Sequence, residues 1–210
     1  MMKSSDSPVF EKEKRIYKRG DLRRAEIMDA LVSLLGEPTQ TRFSTAEIAL
    51  KAKVSEAGIY RHFSGKTAII EAVLKRTAEL LEETLRSADA YPGVSMLGRA
   101  YIKLHWLLIF SLKNPGLTRL LTGEALIYEE RSLADEKDKI LLSIQNSIRN
   151  TLALAVVNRE IPEKVDTEAR ARFMFDYVLA QWLRFSQSGF KTNPTITLEG
   201  VAPLLFGFAS

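Results

Sequence analysis

Between residues 44 and 67 the chain reads STAEIALKAKVSEAGIYRHFSGKT, and the side chains in this run suit contact with a polyanion. Ser44 or Thr45 can cap a helix of about two turns, because a hydroxyl there accepts a bond from an unpaired first-turn amide. Ile48 and Ala49 face inward from that helix. Ser55 can cap a second helix over residues 56–61, with Glu56 in the first turn, where the helix dipole favours an acid. Ile59 turns inward and Phe63 falls just past the end, while Ser55, Ala57, Gly58, Tyr60 and Arg61 face outward. Small residues let a helix sit deep in a groove, and hydroxyl and cationic side chains reach the phosphates on its walls. Ser64-Gly65 breaks this helix, with His62 at its end as a phosphate contact. Lys66 and Thr67 open the next helix, where free amides and an ammonium together can grip a phosphate. The spacing is that of a helix-turn-helix, and the chemistry is recognition of double-stranded DNA. Ser44, Tyr60 and Lys66 are expected to position the backbone, with Ala57, Gly58 and Arg61 nearer the bases. Thr45, Ser55, Glu56, His62 and Thr67 complete the expected interface.

Other chemistries find little to work with. There is no cysteine, so neither a disulfide framework nor a thiolate metal site is available. The two histidines, His62 and His105, are far apart and lack the spacing of a helical zinc site. His105 reads as a core histidine. Gly98 is followed by Arg99-Ala100 rather than Lys-Ser/Thr, so no P-loop forms, and no G-x-S-x-G or G-x-G-x-x-G occurs. The expectation is a binding protein rather than an enzyme, with no cofactor and no metal.

The elements that must position the motif are all helical. With 210 residues and 46% hydrophobic content the chain can bury a substantial core. The formal net charge is +4, and the basic excess lies in the first 76 residues while the remainder is slightly acidic, as phosphate neutralisation requires. Residues 1–18 read as a mobile basic tail carrying Lys12, Lys14, Arg15 and Lys18, with Arg19 next to it. A first helix is expected over 21–36, with Leu22, Ala25, Met28, Leu31, Val32 and Leu35 inward. Further helices are expected over 66–87 and 94–113, a short one over 117–121 after Asn114-Pro115-Gly116, and a hinge at Gly123. A long helix follows with Leu141, Ile144, Ile148, Leu152 and Ala155 as its stripe, then one capped at Asp166 or Thr167 and a last over about 197–208. No β-alternation and no fixed-period repeat appears, so the fold is predicted all-α. It divides into the tail, a three-helix DNA-binding domain over 19–66 and a larger helical domain over 67–210. Met174, Val178, Trp182 and Phe185, at spacings of four, four and three, are predicted to anchor a two-fold four-helix dimer interface. No run of about 18 uninterrupted apolar residues is present to span a bilayer, and the expected location is cytoplasmic and nucleoid-associated.

V-S-E-A-G-I-Y-R-H-F-S-G-K-T resembles the signature of TetR-family regulators, which implies that the second helix enters the major groove and that the chain forms a homodimer. Residues 114–127, NPGLTRLLTGEALI, together with Leu133 and residues 188–194, are similar to the SlmA-type nucleoid occlusion branch of that family. That likeness implies binding to specific chromosomal DNA and contact with the division protein FtsZ along the helices over 66–87 and 94–113. The matching positions are Arg76, Thr84, Trp106, Ile109, Lys113 and Asn114, where Arg76, Thr84, Trp106 and Ile109 depart from the branch's pattern. The alternative is a repressor released by a small apolar ligand lined by Tyr101, His105 and Trp106.

Overall fold

The computed structural model describes residues 19–38 and 42–207, and every element among them is helical. The expected tail over 1–18 lies outside them. In order come α1 (Arg19–Leu35), α2 (Thr45–Ala52), α3 (Glu56–Tyr60), α4 (Lys66–Asp89), α5 (Met96–Lys113) and α6 (Pro115–Leu121). A 3-10 turn (Glu124–Leu126) precedes α7 (Arg131–Val157), α8 (Thr167–Gln187) and α9 (Leu198–Phe206).

Local chemistry accounts for most boundaries. Ser95 accepts from the Gly98 amide at the start of α5, and Asp166 accepts from the amides of Glu168 and Ala169 at the start of α8. Pro115 opens α6 in the first turn, where its missing N–H costs nothing. Gly123 takes a φ of 83°, so the expected hinge is a turn in left-handed backbone that suits glycine. α1 is rotated relative to expectation. Ile27, Ala30, Leu31, Leu34 and Leu35 are its buried residues, whereas Leu22, in the uncovered first turn, is exposed.

One continuous apolar core runs from Ile27 of α1 through Ile69 and Leu74 of α4, Leu107 of α5 and Leu120 of α6 to Leu152 of α7, Val178 of α8 and Leu205 of α9. The first four helices therefore share packing with the larger helical body. Three of the predicted interface anchors, Met174, Val178 and Trp182, belong to this core, and Phe185 packs on Phe190. Met174, Val178 and Trp182 are fully buried within the single chain and Phe185 nearly so. The Trp182 indole donates to the Leu107 carbonyl at 2.9 Å and packs on Phe110 and Phe175, so α5 covers the face that spacing alone assigned to a second copy. A side chain without exposed surface cannot bury more on association. The apolar surface left open on the same two helices is Leu142, Leu154 and Val157 of α7 with Phe173 and Leu183 of α8. By length and composition alone α7 would cross a bilayer, but Ile144, Ile148 and Leu152 pack in the core and Arg149 pairs with Glu168.

A polar group is buried against this core. The Lys103 ammonium, almost without exposure, meets Asp89 Oδ1 at 2.8 Å, Ser147 Oγ at 2.8 Å, the Ser147 carbonyl at 3.0 Å and Thr151 Oγ1 at 2.7 Å. Burial lowers its pKa, opposed by the hydrogen bond and charge of Asp89. This ties the end of α4 to α5 and α7.

Candidate nucleic-acid interface

The paired helices are built as their caps require. Ser44 and Glu47 form a full capping box: the Glu47 amide donates to Ser44 Oγ at 3.2 Å and the Ser44 amide donates to Glu47 Oε2 at 2.7 Å. After Ala52, Lys53 adopts φ 56° and its amide reaches the Leu50 carbonyl, turning the chain sharply toward α3. Ser55 caps α3 by accepting from the Gly58 amide at 3.1 Å. Ile48 and Ile59 are fully buried and Phe63 nearly so, which fixes the angle between the two helices. The Arg24 guanidinium stacks 4.0 Å from the Phe63 ring centroid and donates to the His62 carbonyl, so α1 braces the end of α3.

With Ile59 anchored inward, Ser55, Glu56, Ala57, Tyr60 and Arg61 stand exposed and Gly58 half-buried. Tyr60 is 57% exposed, a large aromatic left in water by a helix whose other side is sealed. Ser44 is exposed, while Thr45, His62 and Thr67 are half-buried. The start of α4 returns to the start of α2, since Lys66 Nζ lies 3.4 Å from the Phe43 carbonyl and 5.3 Å from its ring centroid.

Sequence reasoning missed the other partners of this corner. Lys66 Nζ pairs with Glu129 Oε1 at 2.6 Å and Thr67 Oγ1 donates to Glu130 Oε1 at 3.0 Å. Arg42 stacks on Tyr128 at 3.9 Å. It missed Arg119 too, whose guanidinium donates to the carbonyls of Leu35 at 2.8 Å, Glu37 at 2.6 Å and Pro38 at 3.3 Å, capping the end of α1 from α6. Burial lowers the pKa of Arg119, opposed by nearby Glu124. Gly116 lets the two backbones touch, since a Cβ there would stand 2.1 Å from the Val32 carbonyl oxygen. The only prior signal was the residue run itself: 114–127 was singled out, and an acidic pair follows it.

The expected partner surface is divided. Thr84 is fully buried and donates to the Leu80 carbonyl within its own helix, and Trp106 is only 4% exposed. Trp106 packs with Ala88 and Ile102 and meets Tyr91 edge-on at 6.2 Å. Neither can contact a partner, because the α4–α5 packing consumes both. Arg76 is half-buried and bridges to Asp29 of α1 at 2.8 Å, Ile109 is half-buried and Lys113 exposed. Asn114 ends α5, its side-chain amide donating to the Phe110 carbonyl at 2.9 Å. The expected ligand lining falls in two packing clusters, Tyr101 against the main core and Trp106 in the smaller one. Tyr101 stacks with His105 and reaches Phe206 of α9, away from the cluster that holds Trp106. Burial lowers the His105 pKa, and burial first, then Glu199 and Tyr177, raises that of Tyr101.

Two family models match. Residues 27–73 match the bacterial regulatory proteins of the tetR family, and residues 94–207 match the SlmA-like, tetracyclin repressor-like C-terminal domain. The nucleoid occlusion factor SlmA of Vibrio atlanticus is 33% identical over 186 residues, covering 87% of this chain and 93% of the relative. That of Vibrio cholerae is 33% identical over 187 residues with the same coverage. Among solved structures, the fatty acid degradation regulator FadR from Bacillus halodurans superposes with a TM-score of 0.77 over 93% of this chain and 97% of its own, at 17% identity. A putative TetR-family regulator from Rhodococcus sp. gives 0.72 over 88% of this chain and 98% of its own, at 19% identity, so both share the fold. Similarity across nearly the whole length joins the capped helix pair to the helical body behind it: the chain belongs to the TetR family of DNA-binding, dimerising bacterial regulators, with a C-terminal domain of the SlmA-like class.

Proposed function

We propose that the chain is a homodimeric, sequence-specific DNA-binding protein of the nucleoid occlusion type, which binds chromosomal sites and antagonises FtsZ assembly there. The observation that carries the DNA reading is the exposed face of α3, small at Ala57 and Gly58 and polar at Tyr60 and Arg61, held out by the buried Ile59 and Phe63. The occlusion role rests on the likeness to the Vibrio factors along 87% of the chain. The dimer uses the open apolar side of α7 and α8, with Leu142, Leu154, Val157, Phe173 and Leu183. Two α3 helices then enter successive major grooves about 34–36 Å apart and read a pseudo-palindrome. Lys66 meets the phosphate backbone, so Lys66→Ala weakens binding to all sequences alike and lowers the salt slope by about one. A changed sequence preference at constant slope would refute that role. FtsZ contact is left with Arg76, Ile109, Lys113 and Asn114.

Genome-wide binding combined with titration of an FtsZ tail peptide tests the whole reading. Sites spread over the chromosome, and peptide binding that weakens on Lys113→Glu, are expected. One site beside a divergent gene and no peptide binding at hundreds of micromolar would leave a local, small-molecule-responsive repressor as the better account.

A further inference from the structure

We propose that Glu129 and Glu130 form an acidic latch that occupies the phosphate grip at the start of α4 and must be displaced when DNA binds; this rests on the reading of Lys66 as a backbone contact. Gly65 caps α4 without a side-chain bond, and Lys66 and Thr67 are its first two residues. An ammonium, a hydroxyl and uncapped amides are the groups a phosphodiester would use at a helix N-terminus. Two carboxylates hold the side-chain part of that set, Glu129 on the ammonium and Glu130 on the hydroxyl. The Glu129 side chain is only 10% exposed, so this is not a loose surface pair. Both acids come from the short segment between the 3-10 turn and α7, 63 residues further along the chain, and Glu130 is itself the N-cap residue of α7. Tyr128 of the same segment is held by Arg42 beside α2.

A carboxylate held on Lys66 neutralises its charge and repels an incoming phosphate, so the affinity for DNA contains the free energy of moving the acid aside. Linkage makes the effect reciprocal. Whatever draws the 127–130 segment away from α4 strengthens DNA binding, and bound DNA frees that segment by the same factor.

The test uses the full chain and a 30-base-pair mixed-sequence duplex read by fluorescence anisotropy, with thermal unfolding run on each variant. Glu129→Gln keeps the shape and an acceptor for Lys66 but removes the charge, and it is expected to tighten binding roughly three- to tenfold, about the net worth of one ordinary hydrogen bond. Glu130→Gln leaves the Lys66 pair intact and should give a smaller gain in the same direction, serving where Glu129→Gln does not fold. Glu71→Gln, an exposed acid one turn along α4, should change affinity little. In a Lys66→Gln background the Glu129→Gln gain should vanish. Unchanged or weaker binding by Glu129→Gln, an equal gain from Glu71→Gln, or a gain that persists without Lys66 would overturn the latch. Lys66→Gln alone with unaltered affinity would overturn the backbone reading of Lys66, and the latch with it.

Discussion

Replacing Gly116 by alanine tests how α1 is joined to α6 and the helical body behind it. The new Cβ would lie 2.1 Å from the Val32 carbonyl oxygen and 3.1 Å from the Gly36 amide nitrogen. Carbon meets a carbonyl oxygen comfortably at about 3.3 Å, so α6 must retreat from α1 by about 1.2 Å. Both obstacles are backbone, so no rotamer change relieves them. The retreat stretches the Arg119 bonds to Leu35 and Glu37, now 2.8 and 2.6 Å. Overpacking costs roughly 1–3 kcal/mol, and hydrogen bonds from a charged donor are worth about 1.5–3 kcal/mol when lost. Replacing a helical glycine returns up to about 1 kcal/mol. The net expectation is about 2–4 kcal/mol of destabilisation, and at about 2–4 °C per kcal/mol for a chain of this size the melting point falls by several degrees or more. Gly200→Ala is the control, since a Cβ there meets nothing within 4 Å and should hold or raise the melting point. Thermal unfolding by circular dichroism reads both. A Gly116→Ala chain that melts with the unaltered protein would refute the close approach of α6 to α1.

Trp182→Ala is expected to cost roughly 3–5 kcal/mol of unfolding free energy, as large-to-small changes in a core do; denaturant titration measures it, and a change confined to dimer dissociation would contradict the core placement. Phe173→Glu, on the open side of α8, should leave the helical spectrum intact and yield a monomer in sedimentation, whereas a persisting dimer would move the interface elsewhere. Glu160 concerns pH. Burial alone would push its carboxyl up, but hydrogen bonds from the Leu97 and Met96 amides and the Asn158 and Ser95 side chains outweigh it and hold the pKa below the ordinary value. A depressed folded value means that this stabilisation is complete above the unfolded carboxylate range of about 4.3 and is lost as pH falls through the folded value. Glu160→Gln should therefore flatten the acid limb of melting point against pH, and an unchanged limb would refute the role of those bonds.

What could be read before the structure divides along the range of the interactions involved. The cap at Ser44 or Thr45, the Ser55 cap and the break at Gly65 are made by residues within a few positions of one another, so their types and order carry the geometry. The stripe Met174, Val178, Trp182, Phe185 was equally plain as a stripe. Its cover was not, because an apolar face has the same period whether α5 of the same chain or a second copy lies over it. Thr84 and Trp106 rest on likeness to the branch alone, and likeness names positions without showing which of them neighbouring helices cover. Arg119 and Leu35 are 84 positions apart and Glu129 and Lys66 are 63, and no local pattern pairs charges at that distance. The run over 114–127 was noticed for its likeness alone; its Gly116 and Arg119 turn out to hold α6 against α1.

A charged tie at each end of α4, beside the Arg76–Asp29 bridge between them, makes it resemble a beam pinned at both ends. Its 24 residues span about 36 Å at 1.5 Å per residue. One end is fastened through Lys66 to the segment before α7, the other through Asp89 to Lys103 and to Thr151 far along α7. A beam held so cannot slide along its neighbour without breaking both fastenings, which leaves rotation about whichever end stays fixed. The Asp89 end, with its ammonium sealed from water, is the natural pivot. Over that length a tilt of about 5° about the Asp89 end corresponds to about 3 Å at the Lys66 end, the distance that separates a cation within hydrogen-bonding reach of a phosphate from one outside it.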